Sequence, residues 1–253
     1  MQLSNKKHQP KDLSILVLKD GFSFCTQQQT YAFPFELNTP KASDLQTFIT
    51  SQGISASNTR IYHFDTPCVL VPTPLFEEKT KTDYLTAATA IGPTEEVLHD
   101  TVEDLAAVVV YPQKRVLNEV LKEAFPTATA VHFTAALLPY LKESAAGDAK
   151  RHLYVHLRKG SFDLFLFQGS QLLLHNSFEQ KNADDFLYYL FYVTEQFYLK
   201  PEQFKLIFLG KFATYASYYS GASDFHPEVE HLTLSGGNKD EASPVPFFQN
   251  FFG

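Results

Sequence analysis

Few residues of this 253-residue sequence have the type and spacing of a reactive site. His63 and Asp65 lie on one face of a predicted strand, and such a pair could act as acid and base. His152 and His156 share a face of another predicted strand, but a zinc site needs two more ligands with comparable placement. None is evident, so the sequence predicts no metal site and no catalytic residues.

Motifs for phosphate or acyl chemistry are also missing from the sequence. It contains no GxxxxGK[ST] phosphate loop, no GxGxxG dinucleotide turn and no GxSxG nucleophile elbow. The formal net charge is -7, and the basic runs do not exceed Lys6-Lys7 and Lys150-Arg151. Because an acidic chain does not attract phosphate backbones, the sequence disfavours nucleic acid as a partner.

The composition indicates a folded protein in a reducing compartment. Apolar residues make up 44% of the chain, and aromatic residues reach 15% without any Trp. Cys25 and Cys68 lie far from any CxxC pattern and are predicted to be buried free thiols. The polar stretch from Met1 to Asp12 lacks a signal-peptide core, and no apolar run has the length of a bilayer span. We therefore expect a cytoplasmic protein without membrane insertion.

Two parts of the chain open with the same pattern of three short strands. The predicted strands are 13–18, 22–26 and 31–37 in the first part, and 152–158, 162–168 and 171–178 in the second. A small, polar stretch at 145–149 separates them. The sequence therefore predicts domains at 1–147 and 148–253, the first with an inserted strand–helix–strand–helix segment at about 94–147. Pro112 is predicted in the first turn of a helix that runs to about Ala124.

Three stretches of the sequence resemble a known superfamily. They are DLAAVVVYPQKRVLNEVLKEAFPTATAVHFTAALLPYL, LYVHLRKGSFDLFLFQGSQLLLHNSF and FKLIFLGKF. In their order of elements they are similar to the actin-like ATPases, most closely the actin-like proteins of type IV pilus assembly. The whole chain also resembles a small uncharacterised bacterial family with this fold. The resemblance implies an α/β protein with a duplicated RNase H-like, actin-like ATPase fold, in which each of two domains has a mixed sheet flanked by helices.

The resemblance also implies where a nucleotide site would lie. Actin-like ATPases hold Mg-ATP with an Asp-x-Gly turn after the first strand of each half. The matching positions carry Leu16 and Leu18 in the first half, and His156 and Arg158 in the second. The adenosine site has consecutive glycines, whereas Gly210 is followed here by Lys211 and Phe212. The acids that place Mg²⁺ are therefore absent, and ATP hydrolysis is disfavoured.

Six residues remain candidates for holding an anion or nucleotide in the cleft that the resemblance implies. They are Lys19, Gly21, Arg158, Lys159, Gly160 and Gly210. The alternative interpretation treats the charged ones as solvated turn residues and Gly21 and Gly160 as ordinary hairpin glycines.

Three hypotheses of function follow. The first is a non-catalytic, degenerate actin-like scaffold that binds a protein partner or itself and needs no cofactor. The second is a divergent ATPase or small-molecule kinase that uses Mg-ATP, with Asp20 or Asp163 as the replacement acid. The third is a small-ligand sensor. The aromatic helix at 184–199 and the Phe-rich tail PVPFFQNFFG are either packed inside the protein or available to a partner.

Overall fold

The computed structural model describes residues 12–26, 29–35, 39–54 and 58–232. The chain divides between Ala136 and Leu137 into two parts, here called unit 1 and unit 2. This division precedes the one predicted at 147/148. The Phe-rich tail and the Gly236-Gly237 pair lie outside the described residues.

Unit 1 begins with the meander that the sequence predicts. Strands β1 (Asp12–Leu18), β2 (Gly21–Cys25) and β3 (Thr30–Pro34) pair in antiparallel order. Helix α1 (Ala42–Ser51) follows, with the Asp44 carboxylate accepting the Lys41 amide at its start, 2.8 Å away. Strand β4 (Asn58–His63) then pairs parallel to β1.

A separate three-stranded sheet comes next in the chain. It consists of β5 (Val69–Pro72), β6 (Glu95–Val102) and β7 (Ala107–Lys114), in the order β5-β7-β6, with α2 (Lys81–Thr86) between β5 and β6. All its pairs are antiparallel. Val71, Leu85, Val108 and Val110 form its buried core.

Pro112 lies in β7 opposite Val97 of β6, so its predicted place in the first turn of a helix is wrong. β5 pairs only with the part of β7 from Ala107 to Val110. Beyond that part no described strand pairs with β7 on the β5 side, so a residue without an N–H is tolerated there. The helix begins three residues later, at Arg115.

Helix α3 (Arg115–Ala124), strand β8 (Thr129–His132) and helix α4 (Phe133–Ala145) follow, and the division between the units falls within α4. β8 adds parallel to β4, which completes a five-stranded sheet of order β3-β2-β1-β4-β8. Leu13, Ile15 and Val17 alternate along β1 and pack with Leu45 of α1 and Leu117 of α3 in one core.

Unit 2 repeats this arrangement. Its strands are β9 (Arg151–Arg158), β10 (Ser161–Gln168), β11 (Gln171–Glu179), β12 (Phe204–Leu209) and β13 (Val229–Leu232). Their order is β11-β10-β9-β12-β13, antiparallel in the meander and parallel from β9 onward. Helix α5 (Ala183–Gln196) precedes β12, and α6 (Ala216–Phe225) precedes β13.

The two five-stranded sheets therefore have the same strand order and the same directions. α3 and β8 of unit 1 take the places that α6 and β13 take in unit 2. The strands that unit 1 has in addition are β5, β6 and β7, in residues 69–114, whereas the sequence placed the insertion at about 94–147. None of the described helices combines the length and the apolar character that crossing a membrane requires.

Candidate functional site

The first hairpin of unit 2 contains a buried ion pair. Asp163 is fully buried and Arg158 is 6% exposed. Asp163 Oδ1 accepts hydrogen bonds from Arg158 Nη2 at 2.7 Å and from the Ser177 hydroxyl at 2.5 Å, while Oδ2 lies 3.2 Å from His156 Nδ1. Burial alone would raise the pKa of Asp163, but the Arg158 guanidinium and the His156 hydrogen bond hold it well below its usual range.

The turn of this hairpin fixes which residues meet. Lys159 and Gly160 form a two-residue turn, and Gly160 has a φ of +76°, which favours glycine. Arg158 consequently pairs with Ser161, and His156 pairs with Asp163. The side chains of these residues lie on the sheet face opposite the core formed by Leu153, Val155, Leu157, Phe162, Leu164 and Leu166.

The arrangement around Asp163 makes it a stabilised anion and a poor metal ligand. Mg²⁺ binding requires carboxylate oxygens that are free to enter its octahedral shell. Both oxygens of Asp163 already face donors, one of them a buried guanidinium. At the position that the resemblance assigns to the acid, His156 lies beside Asp163 and is 4% exposed. The residues present therefore do not fit a bound Mg-ATP at this hairpin.

His175 lies beside this ion pair and was not identified from the sequence. Its ring centre lies 4.8 Å from that of Phe165. Its Nε2 is shielded from solvent and has no hydrogen-bond partner in the part of the chain that the structure describes. Burial lowers the pKa of His175 to about 4, against the opposing charge of Asp163. The imidazole is therefore neutral at physiological pH.

Unit 1 carries apolar or neutral residues at the equivalent positions. Leu16 is fully buried in β1, opposite Ser23 of β2, which is 1% exposed. This pair corresponds to His156 and Asp163 in unit 2, because each pair lies at the same distance from its hairpin turn. Leu16 and Ser23 offer no charge to a metal ion or its water shell.

A cavity of about 320 Å³ lies in unit 1 at the carboxyl ends of β1 and β4. Such ends are where open α/β sheets bind ligands. Lys19 and Lys114 line the cavity together with the acidic Asp65 and Glu95. The Asp65 carboxylate accepts the Lys19 amide at 3.2 Å, and the Glu95 carboxylate accepts the Gly92 amide at 2.7 Å. The lysine ammonium groups are thus the side chains best placed to meet an anion.

The floor of this cavity contains a contact that the sequence did not predict. Gln113 is buried, and its Nε2 lies 2.5 Å from His63 Nδ1, while its Oε1 accepts the Lys114 amide. Burial lowers the pKa of His63 to about 4. His63 contacts Gln113 at the end of β4, whereas Asp65 follows the strand and accepts the Lys19 amide. Fifty residues separate His63 from Gln113, and no local pattern relates them.

An aromatic ring covers the end of β12. Gly210 has a φ of +83°, and a Cβ there would lie 2.3 Å from Cζ of Phe212. The Phe212 amide donates to the Tyr219 hydroxyl at 3.0 Å, which fixes the ring-bearing residue over the glycine. At the strand end where the resemblance implies adenosine-binding glycines, a phenyl ring occupies the space instead.

The six predicted site residues lie in both units. Lys19 is in the exposed turn after β1, and Gly21 begins β2, where a Cβ would lie 2.6 Å from the Phe33 carbonyl oxygen. The other four belong to unit 2, where Arg158, Lys159 and Gly160 are consecutive in one hairpin and Gly210 follows β12. Among the described residues no cluster of three His, Cys, Asp or Glu side chains could hold a metal ion.

Comparison with known proteins places the sequence in one family and gives no curated match. A family model described as "Protein of unknown function (DUF3822)" matches residues 1–229. No curated protein matches the sequence significantly.

Solved structures confirm the fold prediction. A Bacteroides thetaiotaomicron protein with an actin-like ATPase fold and unknown function shares 21% identity with this chain over 99% of each, with a TM-score of 0.76. The PilM-PilN type IV pilus biogenesis complex has a chain that is 12% identical over 88% of each, with a TM-score of 0.51. The chain therefore has a mixed α/β, actin-like two-domain fold, as its resemblance to the pilus-assembly proteins implied.

Proposed function

This chain belongs to the DUF3822 family, and we propose that it is a non-catalytic actin-like protein that acts as a protein-binding or assembly scaffold. The buried Arg158–Asp163 ion pair carries this proposal. It occupies the second-unit hairpin, the region in which the superfamily's nucleotide-binding turn would lie, and it uses the carboxylate for internal structure.

Two further features support the loss of nucleotide chemistry. Leu16 and Ser23 leave the corresponding hairpin of unit 1 without a charged group. Phe212 fills the space beside Gly210, where a nucleotide base or ribose would otherwise approach the backbone. The two features lie at separate places in the chain, so a single substitution would not reverse both.

A solved structure of the same fold and the exposed surface of unit 2 support the proposed scaffold role. The PilM-PilN structure is a complex, so a protein of this fold has been solved with a partner. Unit 2 exposes large aromatic side chains, among them Tyr188 at 65% and Tyr198 at 88%. Tyr is enriched in protein–protein interfaces because its ring is apolar and its hydroxyl is polar. Cys25 and Cys68 are reduced cysteines, which favours a reducing, cytoplasmic setting.

The cavity of unit 1 favours a second candidate function, the binding of a nucleotide or another anion without hydrolysis. Lys19 and Lys114 line this cavity, and α3 begins beside it without a side-chain cap. In this case the phosphates would be held by lysine ammonium groups and not through a metal ion.

Thermal denaturation with and without nucleotide separates these functions. We expect millimolar Mg-ATP to leave the midpoint unchanged in the wild type. A saturable, Mg-dependent shift that Asp20→Ala or Asp163→Ala abolishes would contradict the proposal and support a divergent ATPase.

The same assay identifies anion binding by its dependence on lysine. A shift that persists without Mg²⁺ and is lost in Lys19→Ala and Lys114→Ala would support the second candidate. Lys122→Ala is the matched control, since Lys122 is exposed in unit 1 and does not line the cavity.

A further inference from the structure

Helices α5 and α6 of unit 2 expose a continuous aromatic surface. Its members are Tyr188, Phe191 and Tyr192 of α5 and Phe225 of α6, and we call them the aromatic face. Tyr188 is 65% exposed, Tyr192 49% and Phe225 60%. The opposite side of α5 is already buried in the core through Phe186, Leu190 and Val193. The fold of unit 2 therefore does not need the exposed rings for its own core.

Helix geometry and ring contacts place these side chains together. Tyr188 and Tyr192 are four residues apart, so they lie one above the other on the same side of α5. The rings of Phe191 and Phe225 meet edge to face, 4.9 Å apart, and join the two helices. Leu187 packs beneath them against Gly221, where an added Cβ would lie 2.9 Å from Leu187 Cδ1. The small residue lets α6 approach α5 closely enough for one surface to form.

Tyr198 follows α5 in the chain and also exposes its ring, from a strained backbone. Its φ is +50°, a left-handed conformation that Gly or Asn normally supplies after a helix. Its ring is 88% exposed. A tyrosine at such a position costs stability without burying its ring, which is typical of a residue retained for contact with another molecule.

The charged side chains that α5 and α6 themselves carry have one sign. α5 and α6 together contain four carboxylates and no Lys or Arg. Asp185 is used at the helix start, where its carboxylate accepts the Lys181 amide at 2.9 Å. Asp184, Glu195 and Asp224 are exposed. Asp184 lies one turn before Tyr188, Glu195 lies three residues after Tyr192, and Asp224 adjoins Phe225.

We propose that the aromatic face binds a basic, amphipathic segment of a partner protein. This inference rests on the proposed scaffold function and specifies its partner. The apolar side of such a segment would cover the rings, and its Arg or Lys side chains would reach the tyrosine faces and the three carboxylates.

The negative charge of the aromatic face also argues against two other occupants, a second copy of this chain and the chain's own residues 244–253. A second copy of this chain, docked through the same face, would place like carboxylates against each other, which costs binding energy. The stretch PVPFFQNFFG at 244–253 contains no Lys or Arg to meet them.

Fluorescence anisotropy with designed peptides tests the proposal on the full chain. The probe is a labelled helical peptide about five turns long, with Leu on one face and Arg on the other. One comparison peptide carries Glu in place of Arg, and another has the same composition in shuffled order. We expect the Leu/Arg peptide to bind more tightly than both by about tenfold or more, and added salt to weaken binding.

Two sets of variants locate the binding site. Tyr188→Ser/Tyr192→Ser should weaken binding of the Leu/Arg peptide by about tenfold or more, and Asp184→Asn/Glu195→Gln/Asp224→Asn should weaken it severalfold. Leu75→Ser controls for loss of an exposed apolar side chain, since Leu75 is 67% exposed in unit 1. Glu103→Gln/Glu119→Gln/Glu202→Gln removes the same charge elsewhere. Both controls should bind like the wild type.

Several outcomes would overturn the proposal. One is equal binding by the tyrosine variant and its control, and another is equal binding of the Leu/Glu peptide. A dimer in sedimentation that the tyrosine variant abolishes would assign the face to a second copy. Tighter peptide binding after deletion of residues 244–253 would assign it to the tail. If no peptide binds and Mg-ATP has no effect, this proposal fails while the scaffold function stands on another surface.

Discussion

At the scale of single residues, the fully buried carboxylate of Asp163 is the most informative feature. Moving a carboxylate out of water costs several kcal/mol unless charge and hydrogen bonds compensate. Arg158, His156 and Ser177 supply that compensation. The pair is thus best understood as an internal part of the hairpin, which explains why a chain in this fold can retain an acid near the family's site without using it on a metal.

Removing one partner of this ion pair should lower the free energy of unfolding more than removing both partners. Asp163→Leu and Arg158→Met should each lower the free energy of unfolding by about 3–5 kcal/mol, because each leaves a buried charge without its partner. The double variant should lose less than the sum of the two. Urea denaturation measures all three, with Lys150→Met as a control in a solvent-exposed pair that should change stability much less.

Additive losses would mean that Arg158 and Asp163 do not interact in solution. A loss from Lys150→Met as large as that from Arg158→Met would likewise contradict the importance given to burial.

Two histidines whose ring nitrogens are shielded from solvent predict how stability depends on pH. His63 and His175 have a pKa of about 4 in the folded protein, against 6.5 for an ordinary histidine. Between pH 4 and pH 6.5 each of these histidines binds a proton in the unfolded chain and is neutral in the folded chain. The free energy of unfolding should therefore fall as the pH is lowered from 6.5 to 4. Asp163, whose pKa is depressed, adds a further loss in the same direction below about 4.

Urea denaturation at a series of pH values measures this dependence. His175→Phe should flatten the profile in this window, because phenylalanine has no ring nitrogen that binds a proton in the unfolded chain. A wild-type profile that is flat between pH 6.5 and 4, or one unchanged in the variant, would contradict the pKa directions.

At the scale of elements, the contact between Gly210 and Phe212 predicts that alanine destabilises the protein more at Gly210 than at Gly160. Gly210→Ala should destabilise unit 2 by about 2–4 kcal/mol, since it adds a steric clash with the ring to the cost of a left-handed backbone. Gly160→Ala is the matched control: its φ is also positive, but no atom of the described residues lies within 4 Å of the added Cβ, so about 1 kcal/mol is expected.

Thermal denaturation of both variants tests the difference. Gly210→Ala/Phe212→Ala should regain part of the loss by removing the ring. Equal losses in the two glycine variants would show that Phe212 does not press on Gly210.

Elements with clear local signals were predictable from the sequence. The strands predicted at 13–18, 22–26 and 31–37 and at 152–158, 162–168 and 171–178 correspond to β1–β3 and β9–β11. Pro112 was misassigned because a proline also fits the free edge of a strand, which depends on where β5 ends. Local chemistry at that position is compatible with both structures.

The candidate site was predictable only where neighbours in the sheet are also close in sequence. A two-residue turn at Lys159-Gly160 necessarily places His156 opposite Asp163, so this contact could have been derived from the hairpin alone. The contact of Gln113 with His63 could not, since it depends on how β7 and β4 lie in three dimensions. Ser177 comes from a third strand and gave no local signal of its role.

At the scale of the whole molecule, the two five-stranded sheets show one order of strands with different residues at equivalent places. Unit 1 has Leu16 and Ser23 where unit 2 has His156 and Asp163. The strand order depends on many apolar core positions, whereas metal and phosphate chemistry depends on a few polar ones. The fold can therefore persist while those few positions change, as the proposed loss of ATPase chemistry from an actin-like fold requires.

Release of phosphate from Mg-ATP by the purified full chain tests this claim most directly. We predict a rate that equals the buffer rate and does not change in Asp20→Ala or Asp163→Leu. Saturable, Mg²⁺-dependent release above the buffer rate, lost in either variant, would contradict it.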